Sequence, residues 1–409
     1  MSRMRSGDIV GVLDIGTSKI ACLVFERGRN GAAGRIIGVG HHRSRGLKSG
    51  VVIDPDEVEL SIRAAVAQAE RMAGITLAEV TVGITCGRLA SLSFLAHASL
   101  PDGSVHNADV ARLFEGARAF AERNGRALVH MNRKAFHLDG AAGGDDPRGM
   151  AAAKLSADMH AVTADEGALR NVMHVVERCH LRVAGLVAAP YASALAVTTA
   201  DERALGVTVV DMGGGTTSWA GFAEGQFVDC QVLATGGHHL TFEIAQNLHA
   251  PLAEAERIKS LYASMVNAKS DDVDRISYST VAESDGGVQE ISRAHLGHVV
   301  RGRVASVLDE VALRVRAAGL GGFPVVLTGG ASQLVGLAAF AGPVFEAPVR
   351  QWLPQSLPGL AAGADNPAFA AAVGLGLISP DAEAHVLDGT GEPRLGYLRR
   401  VGVWLGCGF

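Results

Sequence analysis

Two glycine turns, set far apart, constrain this chain more than any other feature. The first is Asp14-Ile15-Gly16-Thr17-Ser18; the second is Asp211-Met212-Gly213-Gly214-Gly215-Thr216-Thr217, with the two aspartates 197 positions apart. Each closes an apolar run of strand character: Ile9, Val10, Val12 and Leu13 lead into the first, and Val207, Val209 and Val210 into the second. A third turn, Thr328-Gly329-Gly330-Ala331, follows Val325-Val326-Leu327. Such turns expose backbone N–H groups, and glycine lets the backbone approach an anion closely. Gly16, Thr17 and Ser18 then form one wall of a polyphosphate site, and Gly213, Gly214, Gly215, Thr216 and Thr217 the other. An aspartate at the strand end can hold magnesium through water, which makes Asp14 and Asp211 metal candidates. Gly329, Gly330 and Ala331 belong near a base and sugar. One Asp-x-Gly-Thr alone fits an ordinary hairpin; the combination carries the reading.

The rest of the chain repeats one pattern twice. Strand character over Lys19–Phe25 and Arg35–Val39 follows the first turn, then helical spacing over Glu57–Met72 and a strand over Glu79–Thr85. Residues 86–161 change character: a helix over Asp109–Glu122 with Asn107 as its cap, strands over Leu128–His137 and Leu155–Val162, and a loop of Gly140–Arg148. They read as an inserted subdomain. Afterwards come a helix over Ala168–Cys179, a strand over Leu181–Val187, the second turn and a strand over Phe227–Val232. Gly236 and Gly237, two further candidates for the nucleotide site, precede helices at Leu240–Leu248 and Ala253–Ala263; Asp271–Glu290 reads as a polar loop, and His295–Ala318 as a long helix. The duplication gives an α/β fold with one half on each side of a cleft.

Residues 379–394 are small, polar and acidic, as in a flexible linker. Over 395–409, Leu395, Tyr397, Leu398, Val401, Trp404, Leu405 and Phe409 fall within about half of a helical wheel, with Arg399 and Arg400 opposite. That is a helix for a membrane interface, too short to span. A net charge of −5 shows no footprint for nucleic acid. Five scattered cysteines, with no Cys-x-x-Cys, fit a reducing cytoplasm rather than a disulfide frame or zinc site.

The paired turns resemble the actin-like ATPases. Over nearly the whole length the chain is similar to the FtsA family of bacterial cell-division proteins. The resemblance lies in Ser44-Arg45-Gly46-Leu47-Lys48-Ser49-Gly50-Val51-Val52, Val82-Gly83-Ile84-Thr85-Cys86-Gly87, Val175-Val176-Glu177-Arg178-Cys179, Asp201-Glu202-Arg203 and the tail from Leu395 to Leu405. It implies an actin-like fold with an inserted subdomain of the FtsA type, divided into subdomain 1A (8–85, with part of 360–378), 1C (86–161), 2A (162–235, with 304–359) and 2B (236–303). It implies ATP and Mg2+ as cofactors, with Glu243 and Lys259 at the ribose and adenine. It further implies polymerisation of the chain with itself, recruitment of later division proteins, and a place on the cytoplasmic face of the membrane at the septum. The tail would bind anionic lipids there. The FtsZ C-terminal tail would be bound by 2B, through Arg293 and Arg303; paired guanidinium groups suit its acidic residues.

A hydrolase or kinase of this superfamily needs a base between the cradles. Gly185–Ser193 holds no carboxylate, and Ser218-Trp219 follows the second cradle where many relatives place an acid. The reading is a nucleotide-dependent switch with at most weak ATPase activity. A sugar kinase would need that base, and an Hsp70-type chaperone a longer region after Val373. A pilus-assembly actin homologue shares the fold without the basic–aromatic tail. Lys19 either reaches a phosphate or lies at a strand edge in solvent, and the pairs His41-His42 and His238-His239 lack ligand partners at metal spacing.

Overall fold

The computed structural model describes residues 9–27, 34–281, 288–352, 357–360 and 363–378. The expected linker and tail helix, with all the membrane residues named above, lie outside them.

The first half opens with an antiparallel meander of β1 (Ile9–Ile15), β2 (Lys19–Glu26) and β3 (Arg35–Arg43). A short ladder of β4 (Leu47–Lys48) and β5 (Val51–Val52) leads into α1 (Pro55–Ala73). The Asp54 carboxylate caps α1 by accepting from the Asp56 and Glu57 N–H groups, Pro55 takes the first turn, and Gly74 ends the helix at φ 69°. The helix lays Val58, Ile62, Ala65 and Ala69 on the sheet. It sits so close to β3 that a Cβ at Gly40 would overlap the Ala65 carbonyl. β6 (Glu79–Ile84) then pairs parallel with β1.

The insertion contains β7 (Ala90–Ser99), α2 (Asn107–Ala121), β8 (Arg126–Leu138), β9 (Ala141–Ala142) and β10 (Lys154–Asp165). β10 lies between β7 and β8, and α2 covers the sheet with Val110, Leu113, Phe114 and Ala117. His106, not Asn107, is the N-cap: its N–H donates to Asp109 Oδ2 at 2.9 Å, and Asn107 is already helical. The two connections of the insertion are held together at its root. Asp165 accepts from Arg88 Nε at 2.7 Å and from Arg126 Nη1 at 2.7 Å, and Arg126 also donates to the Gly87 carbonyl.

Helix α3 (Glu166–Arg178) and β11 (Arg182–Ala188) correct the expected boundary at residue 162. β11 pairs parallel with β6, so this segment completes the first half. The second half begins beyond α4 (Ala189–Val197) and α5 (Ala200–Leu205). It contains β12 (Val207–Met212), β13 (Thr217–Ala223), β14 (Gln226–Leu233), α6 (Gly237–Leu248) and α7 (Leu252–Tyr262). Residues 271–290, expected as loop, hold part of a 3-10 turn and most of a hairpin, β15 (Arg275–Ser279) with β16 (Val288–Ser292). α8 (Arg293–Ala317), β17 (Val325–Thr328), α9 (Leu337–Phe345), β18 (Val349–Gln351) and α10 (Ala370–Leu377) follow.

The first sheet runs β11-β6-β1-β2-β3, and the second half reproduces that order as β18-β17-β12-β13-β14. Both pair their first three strands antiparallel and the rest parallel. The second sheet continues through Gln231↔Ala90 into the insertion, making nine strands. Small residues let α4 and α10 cross closely between the halves; a Cβ at Gly374 would overlap the Ala192 carbonyl.

Candidate functional site

Both glycine turns close in the same way. The Gly16 N–H donates to the Lys19 carbonyl at 3.1 Å, and the Gly213 N–H to the Thr216 carbonyl at 2.8 Å. Each links the first two strands of its half, so the duplicated sheets bring the turns face to face. A Cβ at Gly214 would overlap Ser18 Oγ, and one at Gly215 would lie 2.5 Å from Thr17 Oγ1. Behind the first turn, the Gly50 N–H donates to Thr17 Oγ1 at 3.0 Å. Behind the second, Gly236 abuts the Gly213 carbonyl, while the Gly237 and His238 N–H groups donate to the Gly213 and Gly214 carbonyls at 2.9 and 2.7 Å. At the third turn, Gly329 has φ 85° and leaves no room for a Cβ beside Asp211 Oδ1.

A cavity of about 530 Å³ lies between the turns. The expected residues Asp14, Gly16, Thr17, Ser18, Lys19, Asp211, Gly213, Gly214, Thr216, Gly237, Lys259, Gly329, Gly330 and Ala331 line it. Gly215, Thr217 and Gly236 are absent from its wall; Thr217 is buried in β13, Gly215 packs on Thr17, and Gly236 packs on the second turn. Glu243 is a correction. It does not line the cavity, and its Oε2 lies 4.0 Å from Arg303 Nη1. The carboxylate on the cavity wall beside Lys259 is Glu256, whose Oε2 is 2.7 Å from Lys259 Nζ and accepts from Thr241 Oγ1 at 2.6 Å. Glu256 and Lys259 stand three apart on α7, a spacing that puts both on one face.

Burial pushes the Asp14 carboxyl up to about 7, with Lys19 opposing the shift and Asp211 adding to it. Burial also raises Asp211, against a hydrogen bond of 2.5 Å from Ser193 Oγ to its Oδ2. Ser193 comes from the stretch that lacks a carboxylate, and its position on α4 sets its Oγ behind Asp211 of the cavity wall. Lys19 is not a solvated edge residue: its Nζ donates to the Ala368 carbonyl at 2.5 Å and sits 3.1 Å from the centroid of the Phe369 ring. Burial lowers it to about 8.

Arg293 and Arg303 both lie on α8. Ten residues of helix separate them by about 15 Å along the axis, so they do not converge on one carboxylate. Arg293 Nε lies 3.8 Å from the buried Asp271 carboxylate.

The duplicated sheets and facing turns find their counterpart in known proteins. A family model described as cell division protein FtsA matches residues 208–374, and another, the SHS2 domain inserted in FtsA, matches residues 87–163. The chain is 39% identical to the cell division protein FtsA of Agrobacterium fabrum, over 99% of this chain and 96% of that relative. The chain belongs to the FtsA family of cell-division proteins. Among solved structures it is similar to the PilM–PilN type IV pilus biogenesis complex, with a TM-score of 0.65 at 17% identity over 90% of this chain and 97% of that one. It is also similar to MreB5 of Spiroplasma citri bound to ADP, with a TM-score of 0.55 at 12% identity over 92% and 97%. These likenesses give the FtsA-family chain its fold, the actin-like ATPase fold with an inserted SHS2 domain.

Proposed function

We propose that this FtsA-family chain binds ATP between its two glycine turns, assembles with itself, and tethers FtsZ to the cytoplasmic face of the membrane at the septum, where later division proteins join. The observation that carries the reading is the pair of turns whose glycines leave no room for side chains between them. Backbone N–H groups in that cradle fit phosphate oxygens. Gly16–Lys19 and Gly213–Thr216 would hold the phosphates, and Lys259 and the turn at Gly329–Ala331 the nucleoside. Asp14 and Asp211, two carboxylates on the cavity wall of which Asp211 disfavours the charge on Asp14, fit a hydrated magnesium ion. Bound magnesium would offset phosphate charge. The chain supplies no carboxylate at Gly185–Ser193, which supports slow turnover and a switching role.

Subdomain 2B would take the FtsZ tail along α8, near Arg303, and the 395–409 helix would lie in the lipid interface. Co-sedimentation of purified FtsZ with anionic liposomes tests the tether. The full chain with ATP carries FtsZ into the pellet. Arg303→Glu pellets without FtsZ, and a chain ending before Leu395 binds FtsZ but stays in the supernatant. A truncated chain that pellets like the full one overturns the anchor.

A further inference from the structure

His238 was set aside as a metal ligand, yet its ring spans the cleft. It sits in the first turn of α6, and its backbone N–H is fixed to the Gly214 carbonyl of the second cradle at 2.7 Å. From there Nε2 reaches Ser18 Oγ of the first cradle at 2.9 Å. Both side chains line the cavity. The backbone therefore reports the position of one cradle while the ring touches the other. Burial, with Lys259 nearby, lowers His238 from its ordinary value and favours a neutral ring. In the Ser18–His238 bond, one group donates and the other accepts. Phosphate oxygens offer only acceptors, so both groups can turn their hydrogens to them.

We propose that His238 is a phosphate-recognising residue of this cleft, which bridges the cradles through Ser18 and reads the outer phosphates of a bound nucleoside polyphosphate. The ligand class follows from the geometry. The ring is held between two glycine turns, on the side of the cavity occupied by the phosphate cradles. This inference rests on the nucleotide reading above.

Calorimetric titration of the full chain with ATP and with AMP, both with magnesium, tests it in wild type, His238→Ala and His238→Gln. His238→Ala is expected to lose about fivefold or more in ATP affinity and less than about twofold in AMP affinity. His238→Gln, whose amide N–H restores a donor, recovers much of the loss and still reports if the alanine variant does not fold. Unchanged ATP affinity in folded His238→Ala, or equal weakening of ATP and AMP, overturns the role of His238. Equal loss of ATP affinity in the glutamine and alanine variants also overturns it. A wild-type chain that binds neither nucleotide overturns the nucleotide site itself.

Discussion

Asp14, proposed above for magnesium, opposes the stability of the chain that carries it. Its carboxyl titrates near 7 in the folded state against 3.8 ordinarily, because burial disfavours the charge. Between those values the folded chain binds more protons than the unfolded one, so stability falls as pH rises. Asp14→Asn is therefore expected to raise the melting temperature of the nucleotide-free chain at pH 8 and to change it little near pH 4, while weakening magnesium-dependent ATP binding. A variant that melts lower than wild type at pH 8 contradicts the assignment. The glycines, threonines and aspartates of the cradles are legible in sequence because their chemistry is local to one turn. Ser193, Glu256 and His238 are not, because each matters through a partner on another element: Asp211, Thr241 and Ser18. Glu243 misleads for the same reason. It lies on the helix before Glu256, and only the packing of α6 on α7 decides which carboxylate meets the cavity.

Among the elements, β7 joins the insertion to the second half, and its sequence hides it. Ala90–Ser99 is mostly alanine, serine and leucine, with little of the branched and aromatic content that marks a strand. The hairpin of β15 and β16 is hidden as well, since Ile276 and Ile291 are its buried apolar residues and the rest is polar or exposed. The return of β11 to the first sheet depends on a parallel partner a hundred residues upstream, which no local pattern announces. At the β7 seam a polar network takes the place of a longer ladder. His160 bonds Asn132 Oδ1 at 2.9 Å and Ser91 Oγ at 2.8 Å; Ser91 Oγ accepts from the Cys230 N–H at 2.6 Å, and Asn132 donates to the Phe227 carbonyl at 3.2 Å. His160→Ala opens a cavity and strands buried polar atoms, at an expected cost of about 2–4 kcal/mol. Denaturant unfolding of the full chain measures it, with the exposed His42→Ala as a control that should change little. Burial pushes His160 and its neighbour His130 down to about 3, so the unfolded chain binds more protons below 6.5. Stability from these two groups is lost as pH falls from about 6.5 toward 3.

At the scale of the whole molecule, the weak lipid-binding helix proposed for residues 395–409 would gain strength through assembly, because a polymer would present many copies at once. With ATP on an anionic lipid monolayer, electron microscopy is expected to show filaments or rings; uniform single particles at high surface density count against self-assembly. The duplication and the cleft are legible from the spacing of the glycine turns, whereas the placement of the insertion is not. That insertion touches both halves. It is rooted in the first half at Gly87 and Asp165, and His130 accepts from the Ala188 N–H of β11 at 2.9 Å. It is also sewn to the second half at Gln231↔Ala90 and through Ser91 and Asn132. It thus spans the joint like a strut, and a change of angle between the halves would have to be taken up at these contacts. Work done at one end of a strut is felt at the other. If a protein that held the insertion at one angle changed the affinity of the proposed nucleotide site by some factor, the nucleotide would change that protein's affinity by the same factor.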